Sequence, residues 1–128
     1  MEKIQQILEK LVADSAKGSV IVVEGQKDLF ALQELGVEGK IITAKTSRKS
    51  FVELTAEIEK QTCPQIILLL DFDRRGKELT KRLTRHLETA RIKTSTAYWK
   101  GFNALIGRDV KDIEGIPTYL QTLNRKLT

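Results

Sequence analysis

Apolar positions near the start of the chain fall on one stripe. Ile4, Ile7, Leu8, Leu11 and Val12 recur at i, i+3, i+4, i+7 and i+8, the period of an amphipathic helix. The pattern predicts a helix over 2–16 that stops near Lys17-Gly18, where glycine tolerates the turn. At Val20 the period changes. Val20 to Val23 are consecutive and apolar, three of them valine, which suits a strand buried on both faces of a parallel sheet. Glu24-Gly25 ends it. Asp28, Leu29, Ala31, Leu32 and Leu35 then read as a helix closed by Gly36.

The alternation repeats. Lys40–Ala44 reads as a strand, 46–50 as a polar loop, and Phe51, Leu54 and Ile58 as a helix face. Thr62-Cys63-Pro64 punctuates the chain, and Ile66–Leu70 is the most apolar strand. Asp71-Phe72-Asp73-Arg74-Arg75-Gly76 forms a loop before a long helix marked by Leu79, Leu83, Leu87 and Ala90. Thr94–Trp99 reads as a fourth strand. The remainder, through Ile106, Ile113, Ile116, Tyr119, Leu120 and Leu123, reads as loop and closing helix. Strands alternating with helices predict an α/β fold, Rossmann-like, with about four mainly parallel strands flanked by helices. The expected organisation is a single domain over 1–128: a core at about 18–100, an N-terminal helix 2–16 and a C-terminal helical segment 102–126.

Composition narrows the classes. At 128 residues, 41% hydrophobic and 30% charged, the chain is too apolar for disorder and fits one domain. One cysteine, Cys63, and one histidine, His86, exclude an internal disulfide framework, a cysteine-built zinc site and a multi-histidine site. Cys63 has no histidine nearby in sequence to make it a nucleophile, and His86 beside an apolar helix face reads as structural. No apolar run reaches the ~18 residues of a membrane span, and the start M-E-K-I-Q-Q-I lacks a signal-peptide core. A soluble, cytoplasmic protein with no membrane partner is expected.

Candidate chemistry sits where strands end. Sites in open α/β sheets form beyond the carboxyl ends of strands. Glu24 follows the first strand; Asp71 and Asp73 follow the third. Residues i and i+2 of an extended segment point the same way, so both aspartates can face one crevice while Phe72 turns away to pack. Converging carboxylates repel unless a cation joins them. Hard oxygen donors without histidine or thiolate favour Mg²⁺ or Mn²⁺. Taken singly, each acid is equally well read as a helix cap or dipole partner.

Together V-I-V-V-E-G-Q-K-D (20–28) and I-I-L-L-L-D-F-D-R-R-G (66–76) resemble the Toprim domain. That domain occurs in topoisomerases, bacterial-type primases and small ribosomal-RNA maturation nucleases. Its marks are a strand followed by Glu-Gly and a later strand followed by Asp-x-Asp with a glycine soon after. The likeness covers about residues 18–100 and is nearest to small stand-alone Toprim proteins of archaea and some bacteria. It implies Glu24 as general acid/base and metal contact, and Asp71 and Asp73 as Mg²⁺ ligands. Asp28 matches a recurrent acidic position after the Glu-Gly, in keeping with a helix N-terminal role. The chain lacks what the larger relatives add: a nucleophilic-tyrosine domain, or template-handling and zinc-binding segments. What remains is a metal-phosphate module. It is expected either to cleave phosphodiesters of RNA or DNA, or to dock a nucleic-acid backbone or ribonucleoprotein without cleaving, with a protein partner giving substrate choice.

Charge supports a polyanionic partner. Between 71 and 100 nine basic residues face four acidic ones, a surplus of +5 that equals that of the entire chain. Lys27, Lys45, Arg48, Lys49, Arg74, Arg75 and Lys77 follow the strand ends and are the expected phosphate contacts, which position nucleic acid without reading its sequence. Lys77, Lys81, Arg85 and Glu88 share one helical face, which also reads as an ordinary solvated face. Tyr98, Trp99 and Phe102 read either as an anchor for the C-terminal segment or as base-stacking aromatics. Other acid-site folds fit worse. A receiver domain needs a Lys-Pro, a haloacid-dehalogenase-type phosphatase places Asp-x-Asp after its first strand, and no G-x-x-x-x-G-K-[ST] occurs.

Overall fold

The computed structural model describes residues 2–45 and 49–127. In chain order these form α1 (Glu2–Ala16), β1 (Val20–Val23), α2 (Gln26–Glu34), β2 (Ile41–Thr43), α3 (Phe51–Glu59) and β3 (Ile66–Leu68). There follow α4 (Arg74–Thr89), β4 (Thr94–Ser95), α5 (Ala97–Ile106), a 3-10 turn (Ile113–Gly115) and α6 (Ile116–Leu127). The four strands form one sheet in the order β2-β1-β3-β4, and every pairing is parallel. The chain is therefore an α/β protein with a parallel sheet between helical layers.

The alternation of side chains along each strand builds two cores. Val20 and Val22 join Ile42, Ile66, Leu68 and Leu70 on the face covered by α3 and α4, where Leu54, Ile58, Leu83 and Leu87 close the packing. Ile21 and Val23 join Ile67 and Leu69 on the other face, under α1, α2, α5 and α6. All four residues of β1 are buried, as an unbroken apolar run requires. A polar tie joins the outer helices: the Tyr98 hydroxyl donates to the Asp14 carboxylate across α5 and α1. Among the described residues no helix is long and apolar enough to cross a membrane.

One element departs from expectation. Thr94–Trp99 is strand only at Thr94–Ser95, and helix α5 begins at Ala97. Tyr98, Trp99, Phe102 and Ile106 are buried on one helical face. Packing of that face outweighs the β-propensity of a short aromatic run. The aromatic cluster thus anchors the C-terminal segment to the core, with Phe102 fully buried.

The sheet order also creates the crevice. From β1 the chain passes through α2 to β2 on one side, while β3 pairs with β1 on the other. Between β1 and β3 the winding reverses, and such a switch point leaves a cleft at the carboxyl ends of the two strands.

Candidate metal centre

Glu24 leaves β1 into this cleft and Asp71 leaves β3 into it. Glu24 is buried at 5% exposure, and its Oε1 lies 3.5 Å from the Asp71 backbone N–H. Lys45, just after β2, fixes Glu24 twice. Its backbone N–H donates to the Glu24 carbonyl at 2.8 Å, and its Nζ meets Glu24 Oε2 at 2.8 Å. That hydrogen bond raises the Lys45 pKa above its ordinary value, so the ammonium is the cation built into the site.

The crevice holds about 230 Å³. Glu24, Asp28, Asp71, Asp112 and Glu114 line it with carboxylates, and Lys27 and Lys45 with ammonium groups. Asp71 carries the largest shift of these acids. Among the described residues no side chain pairs with its carboxylate. Burial first, and the neighbouring carboxylates of Glu24, Asp28, Asp112 and Asp73 after it, raise its pKa from 3.8 to about 7. Carboxylates pressed together at the expense of ionisation are what a bound cation relieves.

Asp28 is the best-integrated acid. It is buried, and its Oδ2 accepts from the Gly25 N–H at 3.0 Å, closing the first turn of α2. Its Oδ1 accepts from the Glu114 N–H at 2.9 Å, which ties α2 to the C-terminal segment. Burial raises its pKa, and the two backbone donors oppose that rise. Asp112 Oδ1 accepts from the Gly115 N–H at 3.0 Å and caps the 3-10 turn. One carboxylate oxygen from each of Asp28, Asp112 and Glu114 lies within 4.8 Å of the others. This all-oxygen donor set, beside Asp71, suits a hard divalent cation and no soft one.

The remaining residues expected from sequence divide. Lys27 lines the crevice with Lys45. Asp73 lies outside its lining and caps α4, its Oδ1 accepting from the Gly76 N–H at 2.8 Å; the residue is otherwise exposed. Arg75 is exposed in the first turn of α4, and its charge is felt at Lys45. Arg74 pairs with Glu78 on the open surface, at 3.3 Å. Lys49 is held beneath α3, with its Nζ 2.9 Å from the Thr43 carbonyl and 2.7 Å from Glu57 Oε2. Lys77 lies in a separate groove between α4 and α5. Arg48 is outside the described residues.

Gly76 shows why a glycine follows the Asp-x-Asp. The first turn of α4 packs on the backbone of the preceding loop, and a methyl group at 76 would collide with the Asp71 carbonyl. Phe72 packs away from the crevice against Trp99, as the i, i+2 reading expects. Its N–H donates to the Lys111 carbonyl at 2.8 Å, which docks the Asp71 loop on the C-terminal segment.

Sequence reading missed Asp112 and Glu114. Their signal was the same acid-apolar-acid spacing as Asp71-Phe72-Asp73, with Ile113 buried between them. It stood in a stretch read as loop, far in sequence from the other acids.

Comparison with known proteins agrees with this architecture. The Toprim domain family matches residues 18–98. A UPF0292 protein of Methanosarcina acetivorans is 32% identical over 126 residues, covering 98% of this chain and 85% of its own. A UPF0292 protein of Thermococcus sibiricus is 34% identical over 115 residues, covering 90% and 86%. A solved structure of a protein from Aquifex aeolicus superposes with a TM-score of 0.69 at 22% identity. It covers 87% of this chain and 95% of that one, and it speaks to the fold.

Proposed function

The chain belongs to the Toprim domain family, and on that premise we propose that it is a Mg²⁺-dependent protein that cleaves phosphodiester bonds of nucleic acid, RNA or DNA. One observation supports this most: Glu24 and Asp71 converge from β1 and β3 at the switch point, where burial and the neighbouring acids raise the Asp71 carboxylate to about 7. Asp71 is the principal ligand in this reading. Asp73, whose charge acts on the Asp71 carboxylate, would offer the oxygen that Gly76 leaves open, and Glu24 would complete the oxygen set. A bound Mg²⁺ would neutralise a phosphate oxygen and lower the pKa of a coordinated water.

The chain's own groups do the rest. Glu24 would act as general acid or base through Oε1, while Lys45 holds Oε2 and fixes the carboxylate's orientation. A group within hydrogen-bond reach of the reacting oxygen serves as general acid or base in this way. Lys27 and Lys45 flank the crevice and Arg75 stands beside it, positioned to balance phosphate charge.

The test is a cleavage and binding assay on labelled single- and double-stranded RNA and DNA with Mg²⁺, Mn²⁺ or EDTA. Glu24→Gln and Asp71→Asn are run beside the wild type. Metal-dependent cleavage is expected, with a loss of ~10²–10⁴-fold in Glu24→Gln. Full activity in that variant removes Glu24 from the chemistry. The Lys45–Glu24 pair at 2.8 Å favours a second reading, a docking site for a nucleic-acid backbone or ribonucleoprotein. Binding without cleavage that ignores Glu24→Gln would establish it in place of the first.

A further inference from the structure

A second concave surface lies beside the acidic crevice, between α4 and α5, with a volume of about 470 Å³. Lys77, Lys81, Arg85 and Glu88 line it from α4, and Trp99 and Lys100 from α5. The first three recur every four residues, so their Cα atoms are ~6 Å apart along the helix axis and lie on one stripe. That spacing is comparable to the separation of successive phosphates in an extended strand.

All four cations are exposed, and among the described residues none of them makes an ion pair. Neighbouring cations, by contrast, are engaged: Arg74 with Glu78 and Arg82 over the Phe51 ring at 3.8 Å. Thr80 and Thr84 stand between the lysines and turn their hydroxyls back onto helix carbonyls, each at 2.7 Å. Their methyl groups and the Trp99 ring therefore leave the floor largely carbon. The Trp99 indole N–H donates to the Leu70 carbonyl at 2.9 Å and approaches the Asp71 carbonyl at 3.3 Å. The groove is thus bonded directly to the segment after β3 that carries Asp71.

We propose that this α4/α5 groove binds a single nucleic-acid strand, with Lys77, Lys81, Arg85 and Lys100 on its phosphates and Trp99 on its floor, and leads it toward the Asp71 crevice. An apolar floor between cationic rims is the arrangement that accepts unpaired bases and their backbone together. A duplex, whose bases face inward, has no use for such a floor. The proposal rests on the nucleic-acid reading of the crevice, but it concerns binding and not cleavage.

The test is fluorescence anisotropy of a labelled 20-nucleotide single strand, in RNA and DNA form, across a salt series in EDTA. Omitting metal separates groove binding from crevice chemistry. Lys81→Ala/Arg85→Ala removes two phosphate contacts. The slope of log affinity against log salt should become shallower by ~1.4, which at 0.1 M salt is about 25-fold weaker binding. Lys3→Ala/Lys17→Ala, at exposed positions on α1 and in the turn after it, should stay within about 2-fold of wild type. The chain's one tryptophan is Trp99, so its emission should change on saturation with strand. Unchanged affinity and slope in Lys81→Ala/Arg85→Ala overturn the groove and leave a cleaving crevice standing. Groove-dependent binding in EDTA, together with no cleavage of the same strand in Mg²⁺ or Mn²⁺, keeps the groove and overturns the cleavage reading. Equal displacement of the strand by polyglutamate assigns the groove to acidic polypeptides and overturns the proposal.

Discussion

Replacing Asp71 by asparagine should make the metal-free protein more stable. Its carboxyl titrates at about 7 in the fold against an ordinary 3.8, chiefly through burial and then through Glu24 and the other acids. An acid whose pKa is raised by folding keeps its full stability below the unfolded value and loses it as pH rises through the folded one. The window runs from about pH 4 to above 7. A change of this size is nominally about 4 kcal/mol at ~1.4 kcal/mol per pH unit. Asp71 is partly exposed, and water on the open side of the crevice screens it, leaving about 1–2 kcal/mol. For a chain of this length that corresponds to roughly 3–10 °C in Tm. Asparagine removes the charge with little change in shape.

The assay is thermal unfolding in EDTA at pH 5.5 and pH 8, then at pH 8 with Mg²⁺. Wild type should be less stable at pH 8 than at pH 5.5, and Asp71→Asn should be nearly flat between them. Mg²⁺ should raise the wild-type Tm at pH 8, by mass action on the folded state, and move the variant little. A variant no more stable than wild type at pH 8 in EDTA would refute the charge-crowding account. An equal Mg²⁺ response in both proteins would remove Asp71 from the metal site.

Two further outcomes follow from the packing. Gly76→Ala should lose ~1–3 kcal/mol by urea unfolding, because the collision with the Asp71 carbonyl outweighs the ~1 kcal/mol of helix propensity gained; a more stable variant would contradict the close approach. Asp28→Ala leaves the Gly25 and Glu114 N–H groups without their acceptor, each loss being about 1–3 kcal/mol, partly offset by removing a buried acid. Hydrogen exchange at Glu114 should accelerate well before global unfolding, and unchanged protection there would show the tie to be idle.

Much of this fold is legible because the apolar runs are short and uninterrupted. Val20–Val23 could be buried only between two layers, and it is. The strand ends then locate Glu24 and Asp71 by rule, since a parallel sheet with a reversal in its winding has one cleft. Legibility fails where tertiary packing reassigns local preference. Tyr98-Trp99 reads as strand until their partners Phe102 and Ile106 are counted, and then the face is helical. Extended spacing does not reveal that Asp73 also caps α4 through one oxygen, because the backbone turns into the helix directly after it. Lys49 looked like a phosphate contact, but a carboxylate on α3, Glu57, takes its charge. Asp112 and Glu114 are held at the crevice by the Glu114 N–H on Asp28 and the adjoining Lys111 carbonyl on the Phe72 N–H, which no local pattern encodes.

The Lys111 carbonyl on the Phe72 N–H and the Glu114 N–H on Asp28 bear on where this domain can be cut. The segment shared with the Toprim family ends at residue 98, before both of these bonds and before Ile113, which is wholly buried in the same core as Leu32 and Phe72. Excision at the family's edges would strip the lid from one hydrophobic layer and take away one wall of the acidic cleft. The stretch from 99 to 116 belongs to the working unit as much as the motifs do, so two chains could share the motifs and differ in the pocket that those motifs open into.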